Sequence, residues 1–226
     1  MTSAKRLSSG GDAVAVVELC THHSALIAVS LKLSYALLAP FYDLVARPAF
    51  VHARGKSLGQ LPRDVRCHIL LNGVGTGLDL PYLPTGHRYT ALDLTRAMLA
   101  RALRRARDLE ISWIQGDSLA LPFRDACFDY AVLHLILAVV PDAGRALSET
   151  TRVLKPGGVI LILDKFLRPG ARAPLRRLIS PLAARIATRT DVVFEDALAL
   201  APGLTIKSDE PALAGGWFRR IQLVKS

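Results

Sequence analysis

Residues Ile69-Leu70-Leu71-Asn72 form an apolar run that passes directly into Gly73-Val74-Gly75-Thr76-Gly77, and this junction constrains the fold more than any other stretch of the chain. The run predicts a buried strand. Glycines at alternate positions predict a turn whose backbone can approach another group with no Cβ in the way. Tight turns that serve only the chain produce the same spacing, so a purely structural role stays open at this point. The spacing does separate ligand classes. A dinucleotide turn of the G-x-G-x-x-G kind requires glycine at 78, where Leu78 stands. That disfavours a nicotinamide cofactor and leaves S-adenosylmethionine as the leading candidate.

The residues downstream repeat a strand and helix pattern. Tyr89 to Asp93 reads as a second strand ending in one carboxylate, placed where an acid can accept hydrogen bonds from both hydroxyls of a ribose. Thr95 to Asp108 carries Met98, Leu99, Ala102, Leu103 and Ala106 at helical spacing, with Thr95 as its N-cap. Ile111 to Ile114 reads as a third strand leading to Asp117 and Ser118. Asp117 is a candidate for the adenine amino group, and an Asx-turn closing the loop is the alternative. A fourth apolar strand begins at Phe128 and continues through His134 to Val140, where Pro141 breaks it. Pro141-Asp142 opens a helix to about Leu154, and Lys155-Pro156-Gly157-Gly158 launches Val159 to Leu163. Thr205 to Val224, with Gly215-Gly216 inside it, predicts a closing β-hairpin. These units predict an α/β fold: a Rossmann-like, doubly wound, mostly parallel sheet with a C-terminal β-hairpin and N-terminal covering helices. Ligands of such sheets lie at the carboxyl ends of the strands, where Gly73, Asp93, Asp117 and His134 all fall.

The motifs NGVGTG, ALDLT followed by Met98, QGDSLALPF, FDYAVLHLILAVV and RVLKPGG occur in that order. In this the chain resembles the class I S-adenosylmethionine-dependent methyltransferases over roughly residues 42–225. Tyr42-Asp43, Gly75-Thr76-Gly77 with Asp79-Leu80-Pro81, and Val139-Val140-Pro141-Asp142 are most similar to the small bacterial phosphatidylethanolamine N-methyltransferases. Ubiquinone and menaquinone C-methyltransferases share much the same scaffold. The resemblance implies that Asn72, Gly73, Gly75 and Gly77 surround the methionine portion of the cofactor. By the same resemblance Asp93 holds the ribose, Asp117 and Ser118 contact the adenine, His134 and Leu135 lie near the sulfonium and the reacting methyl, and Leu94 is a further cofactor contact. Where the family usually carries an acid, this chain has Asn72, which keeps an acceptor and loses the charge that attracts the cofactor's cationic portion.

Length bounds the organisation: 226 residues suit an N-terminal tail with covering helices over 1–60 and a methyltransferase domain over 61–226. The apolar run Ala25 to Pro40 is too short to span a bilayer and is interrupted by Lys32, and Met1 to Asp12 lacks the pattern of a signal peptide. The serine and Gly10-Gly11 content of the first dozen residues predicts an unordered tail. Cys20, Cys67 and Cys127 are scattered and predict free thiols, and His22-His23 lacks a third ligand, so no metal is expected. A cytoplasmic protein with a peripheral membrane contact is the expected setting.

The net charge of +10 calls for an anionic partner. Lys165, Arg168, Arg172, Arg176, Arg177, Arg185 and Arg189 alternate with apolar residues and no acid intervenes. That pattern suits a helix lying on an anionic membrane surface and equally a sheet-packing helix whose arginines face water; Pro181 would kink either. With only 6% aromatic residues and no recognisable module, nucleic acid is disfavoured as a partner. Apolar helical stretches over 24–38 and 41–53 offer Tyr35, Tyr42 and Arg47 as substrate contacts. The methyl acceptor is expected to be a lipid or small molecule. His134 and Tyr42 are the candidates for removing its proton, against the plainer reading of His134 as a core histidine bonded to a backbone carbonyl.

Overall fold

The computed structural model describes residues 50–167 and 192–226, together with the backbone of two N-terminal strands, β1 (Ala4–Leu7) and β2 (Val14–Glu18). The remaining strands are β3 (His68–Asn72), β4 (Arg88–Asp93), β5 (Glu110–Gln115), β6 (Phe128–His134), β7 (Leu154–Lys165), β8 (Leu204–Leu213) and β9 (Phe218–Lys225). Among the described residues four α-helices accompany them: α1, described over 50–58, α2 (Arg96–Leu103), α3 (Ala143–Val153) and α4 (Phe194–Ala199). All nine strands join one sheet in the order β1-β2-β5-β4-β3-β6-β7-β9-β8.

The five strands from β5 to β7 are parallel. β9 runs antiparallel to β7, and β8 pairs antiparallel with β9 to give the expected hairpin. From β3 the chain steps outward to β4 and β5, then returns to add β6 and β7 on the other side. The carboxyl end of β3 is therefore the switch point, beside which ligands bind in such sheets.

Both faces of the central strands β3, β4, β6 and β7 are covered, which is why these read as continuous apolar runs. In β3, Ile69 and Leu71 join one core with Leu99 and Ala102 of α2. Leu70 joins the other with Ala146 and Leu147 of α3 and Phe194 of α4. Thr95 caps α2 as expected, its Oγ1 accepting from Met98 N at 3.4 Å, and Asp142 caps α3 through Arg145 N at 2.9 Å.

Several boundaries differ from the sequence reading. α2 stops at Leu103 rather than near Asp108; Arg104 is its C-cap, and Asp108 takes a positive φ of 54°. β6 ends at His134 instead of running on to Val140. Leu135 N makes a last bond to Leu163 O and Leu135 then turns through φ 59°. The apolar character of 135–140 has another cause: Leu137 and Val140 are buried in the α3 core as part of a turn, and Ala138 between them is buried too. The second N-terminal helix extends to 58, past Ala53. Ala4–Leu7, expected in an unordered tail, instead forms an antiparallel pair with β2, which adds parallel to β5. The free edge of β5 provides the unpaired backbone groups that make such an addition favourable. The predicted helix over 24–38, Tyr35, Tyr42, Arg47, the Cys20 and His22-His23 positions, and the basic residues from Arg168 to Arg189 lie outside the described residues.

No helix among the described residues is long and apolar enough to cross a membrane. Cys67 is a buried free thiol, and Cys127 is a free thiol only partly covered.

Candidate active site

The turn after β3 is built from left-handed glycines, with Gly73 at φ 76°, Gly75 at 56° and Gly77 at 81°. Two of them are fixed by their neighbours. A Cβ on Gly73 would lie 2.6 Å from Ile136 Cδ1, and one on Gly77 would lie 2.9 Å from the Cα of Ala102 in α2. Gly75 differs: a Cβ there would meet nothing within 4 Å. Its conformation costs an L side chain roughly 1–2 kcal/mol, and the space beside it is open among the described residues. The turn is pinned from the strand beside it, because Gly73 N and Val74 N both donate to Leu92 O at 2.9 Å. Arg105, just past α2, donates to the Thr76 carbonyl from the other side.

Asp93 ends β4 facing this turn. Its Oδ2 accepts from Gly75 N at 2.9 Å and its Oδ1 accepts from Thr95 N at 2.9 Å and Thr95 Oγ1 at 3.2 Å. Burial pushes the Asp93 carboxyl above its ordinary range, and the Thr95 and Gly75 donors offset this only in part. An acceptor-rich carboxylate beside an open glycine backbone fits a ribose diol and a flexible chain, so the residues present fit S-adenosylmethionine. Leu94, half-buried, follows directly, and its carbonyl accepts from Gln115 Nε2 at 3.2 Å. Asp117 forms the Asx-turn foreseen as its alternative role, Oδ1 accepting from Leu119 N at 2.9 Å.

Asn72 and Ser118 are brought together. Ser118 Oγ donates to Asn72 Oδ1 at 2.6 Å, Asn72 Nδ2 donates to Thr150 Oγ1 at 3.1 Å, and Thr150 Oγ1 donates to Ala146 O at 2.7 Å. With Asn72 only 1% exposed, this chain ties the switch point to α3 and uses donors and acceptors in matched order. The amide thus serves this network, and an acid would not. Because the Thr150 hydrogen goes to Ala146 O, a carboxylate oxygen at 72 would meet a lone pair. Asn72→Asp is expected to lower stability by about 1–3 kcal/mol, read as an earlier urea midpoint. An unchanged midpoint would contradict the network.

His134, at the carboxyl end of β6, belongs to a buried polar cluster. Its Nδ1 lies 2.9 Å from Asp79 Oδ1 and its Nε2 lies 2.9 Å from Ser57 Oγ. The plainer expectation of a backbone carbonyl partner is therefore replaced by two side chains. Arg54 Nη1 donates to the same Asp79 Oδ1 at 2.5 Å. Burial alone would push the Asp79 carboxyl up, but His134 and Arg54 together hold it well below the usual carboxylate range. An ionised carboxylate can only accept, so Nδ1 carries a ring hydrogen and donates to Asp79, while Nε2 faces the Ser57 hydroxyl.

Arg54, Ser57 and Asp79 were not singled out as site residues in the sequence. The signal for two of them is the helical stripe of α1: Phe50, Ala53, Arg54, Ser57 and Leu58 are all buried and share one face. An arginine and a serine on an apolar stripe need polar partners, and His134 and Asp79 supply them. The same helix brings Phe50 edge-on to Phe218 of β9, ring centres 4.9 Å apart, over Leu163 at the end of β7.

Asp164, next along β7, is also buried, accepting from Ala138 N at 3.1 Å and Lys165 N at 2.8 Å. It thereby supports the turn that follows His134. Burial pushes its carboxyl up to about 6, with these donors offsetting only part of the effect. Between about 4 and 6 the folded state binds more protons than the unfolded one, so this group's contribution to stability declines as pH rises through that window and stays flat beyond it. Accordingly, the stability of the wild type relative to Asp164→Asn is expected to fall from pH 4 to pH 6, as read by urea unfolding. A difference independent of pH would contradict the assignment.

Comparison with known proteins agrees with this geometry. The methyltransferase-domain family profile matches residues 70–162. A phosphatidylethanolamine N-methyltransferase from Cereibacter sphaeroides is 31% identical over 155 residues, covering 66% of this chain and 76% of that protein. A ubiquinone/menaquinone biosynthesis C-methyltransferase from Ruegeria is 39% identical over 84 residues, covering 35% of this chain and 34% of that protein. Among solved structures, an S-adenosylmethionine-dependent methyltransferase from Thermotoga maritima, described as a possible histamine N-methyltransferase, superposes with a TM-score of 0.62 at 18% identity, over 87% of this chain and 100% of that one, and so shares the fold. The strand order, the glycine turn with its facing carboxylate and these likenesses together show that the chain belongs to the class I S-adenosylmethionine-dependent methyltransferases, with S-adenosylmethionine as its cofactor.

Proposed function

We propose that the chain N-methylates the primary amine of a phospholipid head group, such as phosphatidylethanolamine, at a membrane surface. The observation that carries this reading is the extent of the likeness to the Cereibacter sphaeroides enzyme, 76% of whose length is matched, against 34% of the Ruegeria quinone enzyme. In this reading Gly73, Gly75 and Gly77 wrap the methionine portion of the cofactor, Asp93 and Leu94 hold the ribose, and Asp117 approaches the adenine. Asn72 and Ser118, bonded to one another, support that surface from behind. The cofactor supplies a methyl on a sulfonium, already a strong electrophile, so the protein's part is to align the acceptor, exclude water and provide a neutral amine.

A head-group amine arrives as an ammonium and must lose a proton. His134 is the base in this reading, with Tyr42 as a second candidate. The basic run from Arg168 to Arg189 would meet anionic lipid. Lys165 serves the fold instead, its Nζ lying 5.8 Å from the centre of the Trp217 ring.

The test is labelled methyl transfer to mixed vesicles of phosphatidylethanolamine and anionic lipid, with quinone precursors offered in parallel and products identified by mass spectrometry. Methylated head groups are expected. Label in the quinone fraction alone would replace this reading with carbon methylation, which the 39% identity to the Ruegeria enzyme favours. Cofactor binding without transfer to either would point to a non-catalytic binding protein.

A further inference from the structure

We infer that Asp79 and Arg54 act as an opposed pair of positioning residues for His134: Asp79 holds the Nδ1 hydrogen and so leaves Nε2 as the nitrogen that takes a proton, and Arg54 holds Asp79 in place and offsets its charge. The inference rests on the reading of His134 as the base. Its geometry comes from three separate parts of the chain: α1 supplies Arg54 and Ser57, the turn after Gly77 supplies Asp79, and the end of β6 supplies His134.

All four residues are buried, with Ser57 at 0% and His134 at 6% exposure. A buried carboxylate shared by two donors is costly unless both are in place, so the pair fixes the ring more tightly than either contact alone. Asp79 Oδ1 accepts Nδ1–H, and the proton taken from the acceptor ammonium is received at Nε2. The nitrogen lone pair so freed forms the new N–CH3 bond as the S–CH3 bond breaks, leaving a neutral thioether. The imidazolium is then stabilised across the 2.9 Å contact with Asp79. Ser57 Oγ covers Nε2 at 2.9 Å in this arrangement, and that hydroxyl must give way to the acceptor.

Charge balance gives the two partners opposite effects. Removing the Asp79 charge favours the neutral ring, and removing the Arg54 charge favours the imidazolium. Among the described residues, Arg54 of α1 and Asp79 of the turn are the charged groups in contact with this ring or its partner. The strand neighbour on β7 is Leu163, and Ser57 is the other polar contact.

The test uses the full chain with wild type, His134→Asn, Asp79→Asn and Arg54→Met, each measured for cofactor affinity, kcat and KM across pH. Histidine labelled with 15N reports the ring tautomer independently of turnover. His134→Asn is expected to lower kcat at least 100-fold while leaving cofactor affinity within twofold. If it does not lower kcat, the base reading itself fails. With that established, Asp79→Asn is expected to lower kcat about tenfold or more with acceptor KM unchanged and to move the acidic limb of the rate profile to lower pH. It is also expected to convert the Nδ1–H signal of the wild type to a tautomer mixture. Arg54→Met is expected to move the same limb to higher pH. An unaltered limb and tautomer in Asp79→Asn, or shifts of the same sign in both variants, would overturn the inference while leaving His134 as the base. Should a variant fail to fold, the wild-type tautomer still decides, because an Nε2–H ring in the unmodified protein contradicts the assignment outright.

Discussion

Asp93→Ala is expected to lower affinity for S-adenosylmethionine at least 100-fold in isothermal titration. Under the proposed assignment both ribose hydroxyls donate to this carboxylate, and hydrogen bonds to a charged group are worth about 1.5–3 kcal/mol each. Two of them correspond to roughly two or more decades in the binding constant. The substitution also removes the acceptor that holds Gly75 N and Thr95, so the glycine turn and the start of α2 lose their common tie. Asp93→Asn separates the two effects. It keeps one oxygen as an acceptor, so a loss of cofactor affinity accompanied by little loss of stability would locate the effect in the ligand. Unchanged affinity in Asp93→Ala would refute the ribose assignment.

Gly77→Ala is expected to cost about 2–5 kcal/mol of stability and at least tenfold in cofactor affinity. Alanine in the left-handed region costs about 1–2 kcal/mol, and forcing an extra methyl into packed surroundings about 1–3 kcal/mol more. Both apply here. Gly77 has φ 81°, and the added Cβ would lie 2.8 Å from Leu80 Cδ1 and 2.9 Å from the Cα of Ala102. Leu80 can turn aside, whereas Ala102 is backbone of α2 and moves only with the helix. The displaced helix is capped by Thr95, a partner of Asp93, so damage at the turn reaches the carboxylate proposed to hold the ribose. A urea midpoint equal to the wild type would contradict the packing account.

The parallel sheet was legible because its central strands are buried on both faces, so β3, β4 and β6 appear as short apolar runs bounded by glycine or charge. The glycine turn and Asp93 were legible for a related reason: both depend on local spacing, and the switch point brings local features together. The cluster around His134 follows a different logic. Its partners lie 77 and 55 residues away in sequence, and nothing near His134 indicates which side chains reach it. Arg54 and Ser57 left a trace as polar residues on an apolar helical stripe, and Asp79 was legible within the Asp79-Leu80-Pro81 motif but not as a partner of His134. Asn72 was legible as a departure from the family but not in its meaning. The matched donors of Ser118 and Thr150 show an amide suited to its neighbours. The turn of 135–140 was mistaken for strand because buried turn and buried strand carry the same apolar residues; what separates them is the φ of Leu135.

The most direct measurement for the central claim is a crystal structure with S-adenosylhomocysteine bound. The account predicts the ribose hydroxyls within hydrogen-bond distance of Asp93, the amino acid portion along Gly73 to Gly77, and the sulfur facing the end of β6 where His134 stands. A nucleoside bound away from the carboxyl ends of β3 and β4, with Asp93 still engaged only with Gly75 and Thr95, would contradict it.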